Sequence, residues 1–294
     1  DLLRDECRRV RNLVHPGIVR VYDFHHDGPH AFISMQYVPG ATLVDFRGQA
    51  WMNILQAVLP VTDALEYAHR QGLVHRDVKA SNVLLGEQQQ PLLTDFGVAA
   101  LTGSESDNSR FLKAGGSLPG MSPQQLGGAE PAIADDIYGF GSMLYELLSG
   151  QPLFHPDVTE QKVIQQSPPR LDALDLSLEP PADLVGLVAT MLQKNPLHRP
   201  QSIATVRAAI ERLLIDEIIE DAAKTIIKPK RRKVATSGLL EQQGNHPPPL
   251  QPAKDSVGEG LSRKVIVAGA ALVVLLISVV VLLPAYVANK AIEQ

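Results

Sequence analysis

The chain has 294 residues, of which 45% are hydrophobic and 20% charged, a balance that suits one large globular domain or two smaller ones plus tails. A net charge of -5 offers no basic excess and so argues against a general nucleic-acid binder. Cys7 is the single cysteine, which rules out an internal disulfide and fits a reducing compartment.

In chain order, Leu2, Leu3, Val10, Leu13 and Val14 predict the end of a helix, stopped at His15-Pro16-Gly17. IVRVYDF, from Ile18, and HAFISMQYV, from His30, predict two strands around the polar turn HHDGP. From Trp51 to Gln71 the apolar spacing becomes helical, with Gly72 as the stop. LLTDFG reads as an apolar strand ended by Asp95, after which Gly97 lets the chain turn away. A long apolar helix is predicted over about Ile137 to Leu148, closed by Ser149-Gly150. Two more are predicted over about Pro181 to Gln193 and Ser202 to Leu214. Strands come first and helices dominate afterwards, which is the order of an α+β fold. There is no internal repeat.

Beyond residue 215 the expected organisation changes. Residues 216–264 hold KPKRRK, a polar run and NHPPPLQPAK, a composition that predicts a flexible linker. Val265 to Leu283 is a stretch of 19 residues without a charge, about 28 Å long as a helix and close to the hydrocarbon thickness of a bilayer. A core helix of this length would normally show a polar stripe. A single transmembrane helix is therefore expected over 265–287, with 288–294 opening an extracytoplasmic segment. Arg263, Lys264 and KPKRRK flank it on one side and Lys290 alone on the other, so the positive-inside rule puts residues 1–264 in the cytoplasm.

The chemistry concentrates in LVHRDVKASNVLL, where His75, Arg76, Asp77, Lys79 and Asn82 sit between apolar flanks. Ions are rarely drawn toward an interior without partners, so the cluster is either a structural ion network or a site. Phosphoryl transfer asks for a carboxylate near the attacking hydroxyl, a cation near the moving phosphoryl group and oxygen ligands for magnesium. Asp77, Lys79 and the side-chain oxygen of Asn82 supply one of each, and Asp95 offers a second metal ligand.

HRDVKASN followed by DFG resembles the catalytic-loop and metal-loop pair of the protein kinases, and the resemblance covers about residues 1–215. It implies a protein-kinase-like fold with a partial N-lobe sheet and a helical C-lobe. It implies ATP and Mg2+ as cofactors, with Asp77, Lys79, Asn82 and Asp95 catalytic and Asn82 and Asp95 on the metal. Glu6 falls where the family keeps the glutamate of helix αC that pairs with the nucleotide-contacting lysine; alone it would read as a solvated carboxylate. In ISMQYVPG, Met35 would be the gatekeeper, and backbone groups of Gln36 and Val38 would meet the adenine. Leu84 would lie beneath that ring, although Met35 and Leu84 also read as ordinary core residues. Val10, Val21, His75 and Phe96 would stack as an apolar column joining the lobes. Asp136, in DDIYGFG, would bond to the backbone around His75 and Arg76.

Ser117, in GGSLPGMSPQQL, and Lys79 both resemble the Ser/Thr rather than the tyrosine branch of the family. Serine and threonine hydroxyls of proteins are therefore the implied acceptors. Arg76 beside Asp77 suggests a phosphate on the loop Val98 to Lys113, which carries Thr102, Ser104, Ser106 and Ser109. Two departures stand out. Gln124 replaces the glutamate that the family pairs with Arg199, so an amide must do that work. The sequence also opens inside helix αC, so the glycine-rich loop and the third-strand lysine would precede Asp1, and weak ATP binding is expected of the chain as it stands.

The layout resembles bacterial transmembrane Ser/Thr kinases: membrane-anchored in the inner or plasma membrane, with no nucleic-acid partner and homodimers able to autophosphorylate. The rivals are a pseudokinase scaffold and a kinase-like small-molecule phosphotransferase. The retained set of Asp77, Lys79, Asn82 and Asp95 disfavours the first, and Lys79, the SPQQ loop and Asp136 disfavour the second.

Overall fold

The computed structural model describes residues 9–27, 30–96, 118–174, 176 and 179–227. The chain divides into two compact units, 1–230 and 231–294, and the second lies outside the described residues together with the expected membrane span. Among the described residues, no helix is long and apolar enough to cross a membrane.

Strands β1 (Val21–Asp27) and β2 (His30–Met35) form an antiparallel hairpin, with Phe24 opposite Ile33 and an irregularity between Val21 and Asp23. This corrects the expected strand bounds. Ile18 and Val19 belong elsewhere: Ile18 bridges Leu93 in parallel, Val19 N–H donates to Leu93 O at 2.9 Å, and Leu93 N–H donates to Gly17 O at 2.8 Å. With those backbone groups spent on another sheet, the hairpin ladder starts at Val21 and runs on through His25 to Asp27, so the polar HHD is strand rather than turn. The second strand stops at Met35, not Val38.

The first long helix, α1 (Trp51–Arg70), buries Ile54, Leu55, Val58, Val61, Thr62, Ala64, Leu65 and Ala68. Its apolar stripe thus faces the core, and Gly72 at φ 73° ends it, as its sequence spacing predicts. A second antiparallel pair follows: β3 (Val83–Leu85) against β4 (Pro91–Leu93), with Leu84 opposite Leu92. Helix α2 (Pro123–Leu126) is a single turn closed by a capping box between Ser122 and Gln125.

Helix α3 (Ile133–Ser149) is the central strut, with most of its residues buried. It begins one turn before the expected Ile137, because Asp135 accepts from Ala132 N–H at 2.9 Å and so caps an added first turn. Gly139 and Gly141 allow close approach: a Cβ at Gly139 would lie 3.1 Å from Val78 O, and one at Gly141 would lie 2.7 Å from Met191 Cβ. Helices α4 (Glu160–Gln165), α5 (Ala182–Met191) and α6 (Ile203–Ile227) complete the helical layer. Helix α6 packs on α1 and runs past the expected end at Leu214 into the stretch assigned to the linker. The two hairpins and this helical layer make a mixed α/β architecture.

Candidate active site

The loop between α1 and β3 is built on buried polar contacts. Asp136, 1% exposed at the start of α3, accepts from His75 N–H at 2.8 Å and from Arg76 N–H at 2.7 Å, as its place in the sequence implied. His69 Nε2 lies 2.7 Å from the same carboxylate, a third partner that the sequence did not signal. A carboxylate that accepts several hydrogen bonds can stay ionised in a dry interior, so one side chain anchors the loop without leaving an orphaned charge.

His75 is fully buried, and its protonation state follows from its partners. Nε2 lies 2.8 Å from Thr94 O, which can only accept, so Nε2 carries the hydrogen. Nδ1 then accepts from Asp77 N–H at 3.3 Å. Only the neutral Nε2–H tautomer satisfies both. Burial lowers the pKa of His75 from its ordinary value, with the Asp136 carboxylate opposing, so neutrality agrees with the geometry. The ring centroid of His75 is 4.5 Å from that of Phe96, and Val10, Val21 and Phe96 line a narrow cavity of about 20 Å³ with Met35, Thr94 and Asp95. Three residues of the expected column thus share one cavity, and His75 adjoins it through the ring of Phe96.

From this base Asp77 is presented at partial exposure. Its Oδ2 lies 2.7 Å from Lys79 Nζ and accepts from Asn82 Nδ2 at 2.9 Å, and Asn82 Nδ2 also donates to Asp77 O at 2.9 Å. Both bonds of Asn82 leave from its nitrogen, so Oδ1 is the atom available to a cation. Asp95 sits two residues past β4 in a left-handed conformation, φ 62°, with an exposed side chain and a 3.4 Å contact from Thr94 Oγ1. Thr94 N–H donates to Asn82 O at 2.9 Å, which ties the two loops together. A carboxylate and an amide oxygen suit Mg2+, which takes one or two carboxylates and completes its shell with phosphate oxygens and water. Among the described residues, no cluster of three or more His, Cys, Asp and Glu offers a closed protein cage.

The remaining expected residues are placed as follows. Gln36 N–H donates to Arg20 O at 2.7 Å, which leaves its carbonyl on the other side of an extended chain. Val38 is half-buried, and its backbone makes no hydrogen bond among the described residues. Leu84 is half-buried between Leu92 and a bridge to Thr42. Met35 is 39% exposed, its sulfur 3.9 Å from Thr94 Oγ1. Glu6, Ser117 and the loop Val98 to Lys113 lie outside the described residues.

Away from this loop, Arg199 is 3% exposed and donates to Gln124 Oε1 at 2.6 Å, Gln193 O at 2.8 Å, Ala134 O at 2.8 Å and Lys194 O at 3.2 Å. Gln124 Nε2 donates to Lys194 O at 2.9 Å, so the amide fills the position expected of it.

Comparison with known proteins agrees with this geometry. Residues 1–211 match the protein kinase domain family. The serine/threonine-protein kinase PknB of Mycobacterium tuberculosis is 33% identical over 261 residues, 84% of this chain and 41% of that protein. PknB of Mycobacterium leprae is 34% identical over 71% of the chain and 35% of its own length. A probable serine/threonine-protein kinase of Streptomyces coelicolor, SCO3848, is 33% identical over 72% of the chain and 33% of its length. The chain thus spans well under half of the relatives it matches. The family match covers most of the chain: the chain belongs to the protein kinase domain family.

Proposed function

We propose that the protein is a serine/threonine protein kinase that transfers the γ-phosphoryl group of ATP to a hydroxyl of a protein substrate. The observation that carries this reading is the Asp77 carboxylate, fixed 2.7 Å from Lys79 Nζ and 2.9 Å from Asn82 Nδ2 on a buried scaffold. In the proposed reaction Asp77 accepts the hydrogen bond, then the proton, of the incoming alcohol. The alcohol oxygen forms a bond to phosphorus as the bond to the ADP oxygen breaks, and Lys79 faces the charge on the moving group. Asn82 Oδ1 and Asp95 would hold Mg2+, which supplies charge neutralisation on the phosphates when bound. Gln36 O and the backbone of Val38 would receive the adenine above Leu84, and Glu6 would orient a lysine toward the phosphates.

The same reading covers location and partners. Residues 265–287 would anchor the protein as a single transmembrane helix, with the kinase unit cytoplasmic, and a second copy would phosphorylate the loop Val98 to Lys113. The relatives' printed names support the Ser/Thr assignment.

The test is transfer of radiolabel from γ-labelled ATP to a generic protein substrate by the protein expressed with its native flanking sequence. The expected result is labelling at serine or threonine that falls by at least about 100-fold in Asp77→Asn. Equal labelling by wild type and Asp77→Asn would overturn the reading.

A further inference from the structure

Gln125 occupies a position that the reaction scheme leaves unused. It lies in α2, and its side-chain amide is engaged at both ends. Oε1 accepts from Ser122 N–H at 3.0 Å, and Nε2 donates to Arg76 O at 2.8 Å, across 49 residues of sequence. The backbone N–H of Gln125 donates in turn to Ser122 Oγ at 3.0 Å, and Ser122 Oγ donates to Asp135 Oδ1 at 2.5 Å. Ser122 is fully buried and Asp135 is 3% exposed.

Arg76 is thereby held from two sides. Its N–H is taken by Asp136 Oδ1 at 2.7 Å, and its C=O by Gln125 Nε2. It needs such support, because φ of 71° puts a non-glycine residue in the left-handed region at a cost of about 1–2 kcal/mol. The carbonyl that Gln125 grips belongs to the peptide plane leading directly into Asp77. That plane's N–H points to His75 Nδ1 at 3.3 Å, a bond too long to set its tilt alone.

We propose that Gln125 is a positioning residue for Asp77: its Nε2 sets the tilt of the 76–77 peptide plane and so aims the carboxylate, tying the segment 118–126 to the reactive loop. The inference rests on the reading of Asp77 as the group that receives the alcohol proton. Gln125 itself touches neither substrate nor metal.

Two variants separate positioning from a merely structural role. Gln125→Glu keeps the oxygen that caps Ser122 N–H but turns the atom facing Arg76 O from donor to acceptor, whereas Gln125→Ala loses both contacts. Steady-state kinetics on the full-length protein, read per folded molecule, should show kcat reduced about 10- to 100-fold in both variants and KM for ATP unchanged, with a modest fall in melting temperature in each. A purely structural role predicts the opposite split: Gln125→Glu near wild type in kcat, and Gln125→Ala losing melting temperature and activity together. That split, or a loss that appears only in KM, overturns the proposal. Asp77→Asn run alongside distinguishes the two failures. If it is inactive while Gln125→Glu has wild-type kcat, only the positioning role falls; if it retains activity, the reading of Asp77 falls and the proposal with it.

Discussion

Two of the buried ions, Asp136 and Arg199, both engage the first turn of α3, and they are satisfied in different ways. Asp136 gathers donors: the N–H groups of His75 and Arg76, and the ring of His69. Arg199 gathers acceptors, three backbone carbonyls and the Gln124 amide, with no carboxylate within salt-bridge distance among the described residues. Both avoid the cost of an unpaired buried charge chiefly through direct bonds to dipoles, with the Asp135 carboxylate adding a longer-range attraction for Arg199. What differs is what they hold. Asp136 fixes a loop whose geometry matters to tenths of an ångström, whereas Arg199 fixes the junction of α2, α3 and the turn after α5, where geometry matters chiefly for stability.

Removing the anion should have the larger effect. Asp136→Ala strands the buried N–H of His75 and the part-buried N–H of Arg76 and should cost about 4 kcal/mol in urea unfolding, with phosphoryl transfer lost even in the folded fraction. A variant that unfolds normally and stays active would erase the distinction between the two ions. Arg199→Met should cost about 3 kcal/mol, because four acceptors lose their donor, yet kcat per folded molecule should change less than twofold. A large fall in kcat there would mean that the second ion also shapes the reactive loop.

Gln124→Glu sharpens the comparison by giving Arg199 a formal counter-ion. The gain is offset by losing the Gln124 Nε2 bond to Lys194 O, so the net change should stay within about 1 kcal/mol by urea midpoint.

The smallest effect concerns Lys194. Its Nζ donates to Val163 O at 2.6 Å and lies 5.0 Å from the Phe154 ring centroid. Burial, and secondarily the Arg199 charge, lower its pKa to about 8. The folded state therefore binds fewer protons than the unfolded state between about pH 8 and the ordinary lysine value. Its contribution is fully present above the unfolded pKa and is lost as pH falls through about 8. Because the group is half exposed, screening limits the change to a fraction of a kcal/mol. Urea midpoints at pH 7.5 and 10 should show a small rise in wild type that is missing in Lys194→Met.

How much of this could be read beforehand depended on the kind of residue. HRDVKASN and DFG single out Asp77, Asn82 and Asp95 as candidates through their resemblance to a family's motif pair, and Asp136 was legible through the resemblance of DDIYGFG. Gln125 and His69 were not. A glutamine or a histidine in a helix has many uses, and only partners 49 and 67 residues away reveal these two. Element limits failed where polar residues took structural work. His25 and Asp27 extend β1 by pairing with β2. Likewise, the linker was expected to open at residue 216, although α6 continues to Ile227.

The glycines of α3 have a further consequence. Gly139 and Gly141 forgo about 2 kcal/mol of helix propensity relative to alanine. In exchange, the main chain of the strut meets Val78 on one side and Met191 on the other with no side chain between. Val78 stands directly between Asp77 and Lys79, so the main chain that carries those two side chains lies against the backbone of the helix. The strut acts as a gauge block: an added methyl group at Gly139 would push on the reactive loop, and one at Gly141 on α5.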